Sequence, residues 1–167
     1  MPTMPAGVVS WGTGGASLGS AAAKPEDLLA DVIGTTSLIA RRIGPVYTIE
    51  DLSRWLVMPG RPPLTTQAIR KQAKRRQLVG FLTDDGQWAF PAHQFDSAAG
   101  RLIPRHEVVS LWQRLPHDGV LTAADLAAWM NTEFASLGGT PAEQADRRGV
   151  DNPELVAALS RLRARVV

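Results

Sequence analysis

Apolar residues recur three or four positions apart over several stretches of the chain and cluster over two short ones, so helices with a small β component are predicted. Leu28, Leu29, Val32 and Ile33 follow Pro25-Glu26-Asp27, a helix opening with proline early and acids near the positive dipole end. The pattern weakens at Gly34-Thr35-Thr36, resumes through Leu38, Ile39 and Ile43, and stops at Gly44-Pro45. Thr48 to Asp51 forms an N-cap for a short helix from Ile49 to about Leu56, with Leu52, Trp55 and Leu56 inward. Met58-Pro59-Gly60-Arg61-Pro62-Pro63 forces a turn. Thr65 or Thr66 then caps a helix that carries Ala68, Ile69 and Ala73 inward as far as Leu78. Val79 to Thr83 and Gln87 to Pro91 are β-prone runs about Asp84-Asp85-Gly86, the pattern of a hairpin.

Beyond a polar loop through Gly100, the periodicity is helical again. Pro104 opens a helix with Val108, Val109, Leu111, Trp112 and Leu115 inward, broken at His117-Asp118-Gly119. Thr122-Ala123-Ala124-Asp125 caps a helix running to about Phe134, and Thr140-Pro141-Ala142-Glu143 is a capping box with proline at the first helical position. Asn152-Pro153 starts the last helix, whose Leu155, Val156, Leu159 and Leu162 share one face. The predicted fold is mainly α, with a winged helix-turn-helix-like module and its small β-hairpin over residues 47–96. An all-helical module over 97–167 follows, and an N-terminal helix over 24–46 precedes. Residues 1–23 are uncharged and rich in Gly, Ala, Ser, Thr and Pro, which predicts a flexible tail; Gly12-Thr13-Gly14-Gly15 lacks the context of a phosphate loop.

Charge changes this picture more than composition does. The net charge is only +2, yet residues 41–76 carry nine arginines and lysines against Glu50 and Asp51, while both flanks hold more acids than bases. A basic centre inside an acidic chain predicts one surface that faces a polyanion. On the helix after Thr65, residues Gln67, Arg70, Lys71, Lys74 and Arg75 fall on the polar side. Arginine and glutamine can read base edges, lysines meet phosphates, and Thr65 at the helix N-terminus completes the candidate DNA-binding set. The competing reading is the solvated face of an amphipathic helix.

The absence of cysteine removes disulfides, thiol chemistry and zinc fingers from consideration. His93, His106 and His117 have no metal-ligand spacing, and read as surface or capping residues. There is no serine nucleophile elbow, and Asp84-Asp85 suits a turn. No catalytic residue, metal site or cofactor is predicted, and the protein is expected not to be an enzyme. Met1 to Met4 carry no secretion signal and no apolar run reaches membrane-spanning length, so a cytoplasmic location without a membrane partner is expected.

Trp129-Met130, then Leu137-Gly138-Gly139-Thr140-Pro141-Ala142-Glu143, then a final helix after Asn152-Pro153 resembles the C-terminal domain of the Xre/MbcA/ParS antitoxins. The Gln87 to Phe95 run and the helix with Ala68-Ile69-Arg70-Lys71 are similar to the N-terminal part of such proteins, so the resemblance spans residues 47–167. It implies a type II antitoxin that binds a cognate toxin, commonly of the RES-domain class that consumes NAD, and that represses its own operon by binding operator DNA. The toxin-binding residues it implies are the turn Leu137, Gly138, Gly139, Thr140 and Pro141 together with the last helix. From that helix Arg161, Arg163, Arg165 and the carboxylate of Val167 would reach a pocket built for an anionic dinucleotide. A homodimer follows only from the symmetry usual in repressors. The alternatives are a DNA-binding regulator without a toxin partner and a non-enzymatic assembly or adaptor protein.

Overall fold

The computed structural model describes residues 8–9 and 41–166. Most of the expected 24–46 helix, most of the 1–23 tail and Val167 lie outside the described residues; residues 41–43 are helical, whereas Val46 belongs to a strand. Strands β1 (Val8–Val9), β2 (Val46–Tyr47), β3 (Phe81–Leu82) and β4 (Trp88–Pro91) form an antiparallel sheet in the order β1-β2-β4-β3. Tyr47 lies opposite Phe90, and Phe81 opposite Ala89. The β3–β4 hairpin forms where Asp84-Asp85-Gly86 predicts it. Gly86 takes a positive φ of 78°, its N–H donates to the Thr83 carbonyl (2.9 Å), and the Thr83 N–H donates to the Gln87 carbonyl (2.8 Å).

Helix α1 (Ile49–Trp55) begins at a reciprocal capping box: the Asp51 N–H donates to Thr48 Oγ1 (3.1 Å) and the Thr48 N–H to the Asp51 carboxylate (3.0 Å). Helix α2 (Thr66–Lys74) starts at Thr65, whose hydroxyl accepts from the Ala68 N–H. Residues 56–65 connect the two helices. That link exceeds the three- or four-residue turn of a helix-turn-helix unit. Part of it is held to strand β6 (Arg101–Pro104) by a bridge from Leu56 to Leu102 and a Val57 N–H···O bond to Leu102 (2.8 Å).

The second half is not all-helical. A 3-10 turn (Ala92–Gln94) leads into β5 (Phe95–Ala98), which pairs with β6 as a second hairpin in the stretch expected to be a polar loop. Ala99 and Gly100 both take positive φ, 50° and 72°, the signature of a tight two-residue turn between Ala98 and Arg101. Alanine at a left-handed position gives no sequence signal for that turn, so the hairpin was hidden. Pro104 is consequently the last strand residue, and α3 (His106–Arg114) begins two residues after it. Helices α4 (Ala123–Met130), α5 (Pro141–Arg148) and α6 (Pro153–Ala164) follow, each starting at its predicted cap: Thr122, Thr140 and Asn152.

Two apolar cores lie on opposite faces of the central sheet. Tyr47 and Phe90 join Ile49, Leu52, Ile69 and Leu78 under α1 and α2. Their strand neighbours Val46 and Ala89, with Phe81, join Leu111, Trp112, Leu126, Met130 and Leu155 from the later helices. Successive residues of a strand point to opposite faces, so a sheet two to four residues deep serves both cores. The hairpin predicted as the wing of a helix-turn-helix-like module is therefore a layer between two sets of helices. On α6 the inward set is Leu155, Ala158, Leu159 and Leu162, while Val156 is exposed, a correction to its expected inward position.

Candidate functional site

Helix α2 packs through Ile69, Gln72 and Ala73, which are buried. The opposite side therefore faces water, and Gln67, Arg70, Lys71, Lys74 and Arg75 are all exposed on it. Thr65 is exposed too, but its hydroxyl is engaged in the helix cap. Among the described residues no carboxylate lies within ion-pair distance of any of these four cations; the ion pairs present all involve Arg105, Arg114 or Arg148. Arg70 and Lys74, and Lys71 and Arg75, stand four apart, an arrangement in which like charges repel by a few tenths of a kcal/mol per pair. Lys71 and Lys74 in the last turn are favoured by the helix dipole, whereas Arg70 is not in that turn.

The helix stops at an unusual place. Arg76 adopts a left-handed conformation, φ 59°, with its N–H on the Ala73 carbonyl (3.0 Å) and the Gln77 N–H on the Gln72 carbonyl (2.9 Å). Those two bonds are a Schellman cap, a position that glycine ordinarily fills. The cap ends the helix four residues before Leu78, the expected end, and lets the chain turn into β3. The Gln113 side-chain amide donates to the Arg76 carbonyl (3.1 Å), tying this end of α2 to α3. The tip of the β3–β4 hairpin carries Asp84 and Asp85, both exposed, so that tip repels a polyanion.

The second predicted set divides differently. Leu137, Thr140 and Pro141 are buried and build the turn between α4 and α5; Gly138 alone of the five is exposed. The Phe134 N–H donates to the Gly139 carbonyl (3.0 Å) and the Gly138 N–H returns to the Phe134 carbonyl (3.0 Å). Thr140 and Glu143 close the capping box, and a Cβ at Gly139 would stand 2.7 Å from the Glu143 carboxylate, so a side chain there would collide with it. Just before this turn, Trp129, Phe134 and Ser136 face Arg161 and Leu162 of α6 and its C-cap Arg165 across a cleft of about 110 Å³. Arg163 points elsewhere, donating to the Arg114 carbonyl (2.8 Å). The structure thus brings Arg161 and Arg165 to Phe134 and Ser136 rather than to residues 137–141, and Arg163 ties α6 to the end of α3.

The histidines do not all match the expectation of surface or capping positions. His106 is exposed at the start of α3. His117 is half-buried with its Nε2 on the Trp112 carbonyl (2.8 Å), and its ring lies edge-on to Trp112. Burial lowers its pKa, although the backbone bond acts in the opposite sense. His93 departs fully: both ring nitrogens are buried and have no hydrogen-bond partner among the described residues. Burial, reinforced by the Arg105 charge, lowers its pKa to about 4. Sequence reasoning missed it because a lone histidine after Phe90-Pro91-Ala92 has no motif. No group of three potential metal ligands occurs among the described residues. No helix among them is long and apolar enough to cross a membrane.

No family model, curated protein or solved structure matches the chain.

Proposed function

We propose that this chain is a non-enzymatic, DNA-binding antitoxin that lays α2 against duplex DNA and offers the α4–α5 turn with α6 to a toxin. The observation that carries the DNA half is the exposed, unpaired cationic side of α2. Four like charges in two turns destabilise an isolated helix, and a phosphate backbone is the partner that relieves them. A nine-residue helix is about 14 Å long, a length the major groove accepts. The capped α1, the basic α2 and the hairpin keep the order of a winged helix-turn-helix. The long link and the buried hairpin make it a variant in which the acidic tip stays off the DNA. The antitoxin half rests on the sequence resemblance and on the cleft where Arg161 and Arg165 meet Trp129 and Phe134. Burial of Leu137, Thr140 and Pro141 favours a second reading, a DNA-binding regulator without a toxin partner, because the turn then serves only the fold.

Two measurements test this. In the first, operator binding is followed over a range of salt for the full chain and for the variant with Arg70, Lys71, Lys74 and Arg75 all replaced by alanine. The native chain shows a steep salt dependence, and the variant loses roughly one phosphate equivalent of slope per residue while keeping its helical circular dichroism. Equal affinity of the two proteins, or binding indifferent to salt, would overturn the DNA reading. In the second, the protein is captured from its host in moderate salt. A stoichiometric partner that is toxic alone and silent when co-expressed supports the antitoxin; DNA without such a partner supports the regulator.

A further inference from the structure

A cavity of about 410 Å³ opens where the sheet meets the last turn of α4 and the first turn of α5. That volume lies within the range of small-molecule sites. Ile43, Pro45 and Phe95 supply an apolar wall, and His93, Asn131 and Glu143 supply polar groups.

Each polar group has a definite unused capacity. The Asn131 amide donates both ways, to the carbonyls of Arg42 (2.8 Å) and Ile43 (3.2 Å), which leaves its Oδ1 as an acceptor. Glu143 accepts the Thr140 N–H with Oε2 (3.0 Å), which leaves Oε1. His93, neutral at pH 7, has one donor and one acceptor nitrogen, both without a protein partner among the described residues. Arg105 also lines the cavity, but its guanidinium is held by Asp96 (2.9 Å) and Asp146 (3.2 Å). Asp96 and Asp146 thus match the Arg105 charge, which leaves the Glu143 carboxylate as the uncompensated charge of the lining, and the free groups are mostly acceptors.

We infer that this cavity is a binding site for a small organic molecule presenting a planar, donor-rich group, namely a primary amide, an amidine or a guanidine. Such a group offers two or more N–H donors in one plane to Glu143 and Asn131, with its apolar remainder against Phe95 and Pro45. An anion is disfavoured by the Glu143 carboxylate, because Arg105 is already matched by Asp96 and Asp146. The His93 nitrogens are shut off from solvent, so a ligand reaches them through a small rotation of the ring, whose terminal torsion is broad. An orphaned imidazole beside a cavity is unfavourable, and a ligand that pairs with it offsets that cost.

The test uses three molecules of one shape and different charge: benzamide, benzamidine and benzoate. Each is titrated into the full-length protein with ¹⁵N-labelled histidine, and the His93 ring resonances are followed by NMR. Benzamide and benzamidine are expected to shift those resonances saturably, and benzoate to bind at least about tenfold more weakly. Glu143→Gln, which preserves the capping box, should weaken benzamidine more than benzamide. Benzoate binding as tightly as benzamidine would overturn the inference. So would no saturable shift with any of the three, or a Glu143→Gln protein that binds benzamidine as the native chain does.

Discussion

At the residue scale, the side chains that decide this fold are polar groups placed where water cannot reach. Gln94 is fully buried and bonds three backbone groups, accepting from the Val79 N–H (2.8 Å) and donating to the carbonyls of Val79 (2.6 Å) and Pro91 (3.1 Å). It locks the approach to β3 onto the end of β4, and every hydrogen bond it breaks would leave a buried group unmatched. Its neighbour His93 is the opposite case. In the folded chain its pKa is about 4, because burial and then Arg105 disfavour the imidazolium, whereas an unfolded histidine titrates near 6.5. Between those values the unfolded chain takes up a proton that the native chain refuses. Stability is therefore expected to fall as the pH drops from about 6.5 to about 4, by about 3 kcal/mol from this group, and to level off below. His117, lowered in the same direction, adds to the slope. Urea denaturation across that range checks this: the His93→Phe protein should show a distinctly flatter profile. A native profile with no decline in that window would contradict the assignment.

At the element scale, caps were the most legible feature, because a cap is a local pattern of side chain and spacing. Thr48-Asp51, Thr122-Asp125 and Thr140-Glu143 all form reciprocal boxes at the helix starts read from sequence. The β3–β4 hairpin was legible through Asp-Gly for the same reason. What escaped were features carried by residues in atypical conformations. Ala99 turns the β5–β6 hairpin and Arg76 ends α2, both with positive φ and neither a glycine. The surface of α2 was legible as a basic face; the cavity beside His93 was not, since Asn131 and Glu143 come from elements far along the chain. Arg76 yields a test of this reasoning. A non-glycine residue in that conformation is disfavoured by about 1 kcal/mol, so Arg76→Gly should raise stability by up to about that amount in urea denaturation. A loss of stability would mean that the Arg76 side chain, not only its carbonyl bond to Gln113, supports the fold.

At the scale of the whole molecule, the sheet determines how the two halves relate. Sequence periodicity divides the chain into a basic module and a helical module, but the contacts do not respect that division. Ile43, Val46, Val79, Phe81 and Ala89 belong to the same core as the four C-terminal helices, and Leu102 of β6 belongs to the core under α1 and α2. Each half therefore lacks a wall of its own core when separated from the other. Cutting the chain between residues 96 and 97 would also divide the β5–β6 hairpin after its second residue. A fragment of residues 97–167 is accordingly expected to remain largely unfolded as a monomer, by circular dichroism and by rapid amide exchange. The full chain should lose protection in α1–α2 and in α3–α6 with the same opening free energy. Phe81→Ala, at a side chain only 2% exposed, should remove roughly 3–5 kcal/mol from both sets of amides together. If exchange instead showed α1–α2 unchanged while α3–α6 alone lost protection, the halves would be energetically separate. Coupled halves have a functional consequence. A protein seated on α6 and DNA seated on α2 would bind opposite layers of one cooperative unit, so either ligand stabilises the framework that presents the other.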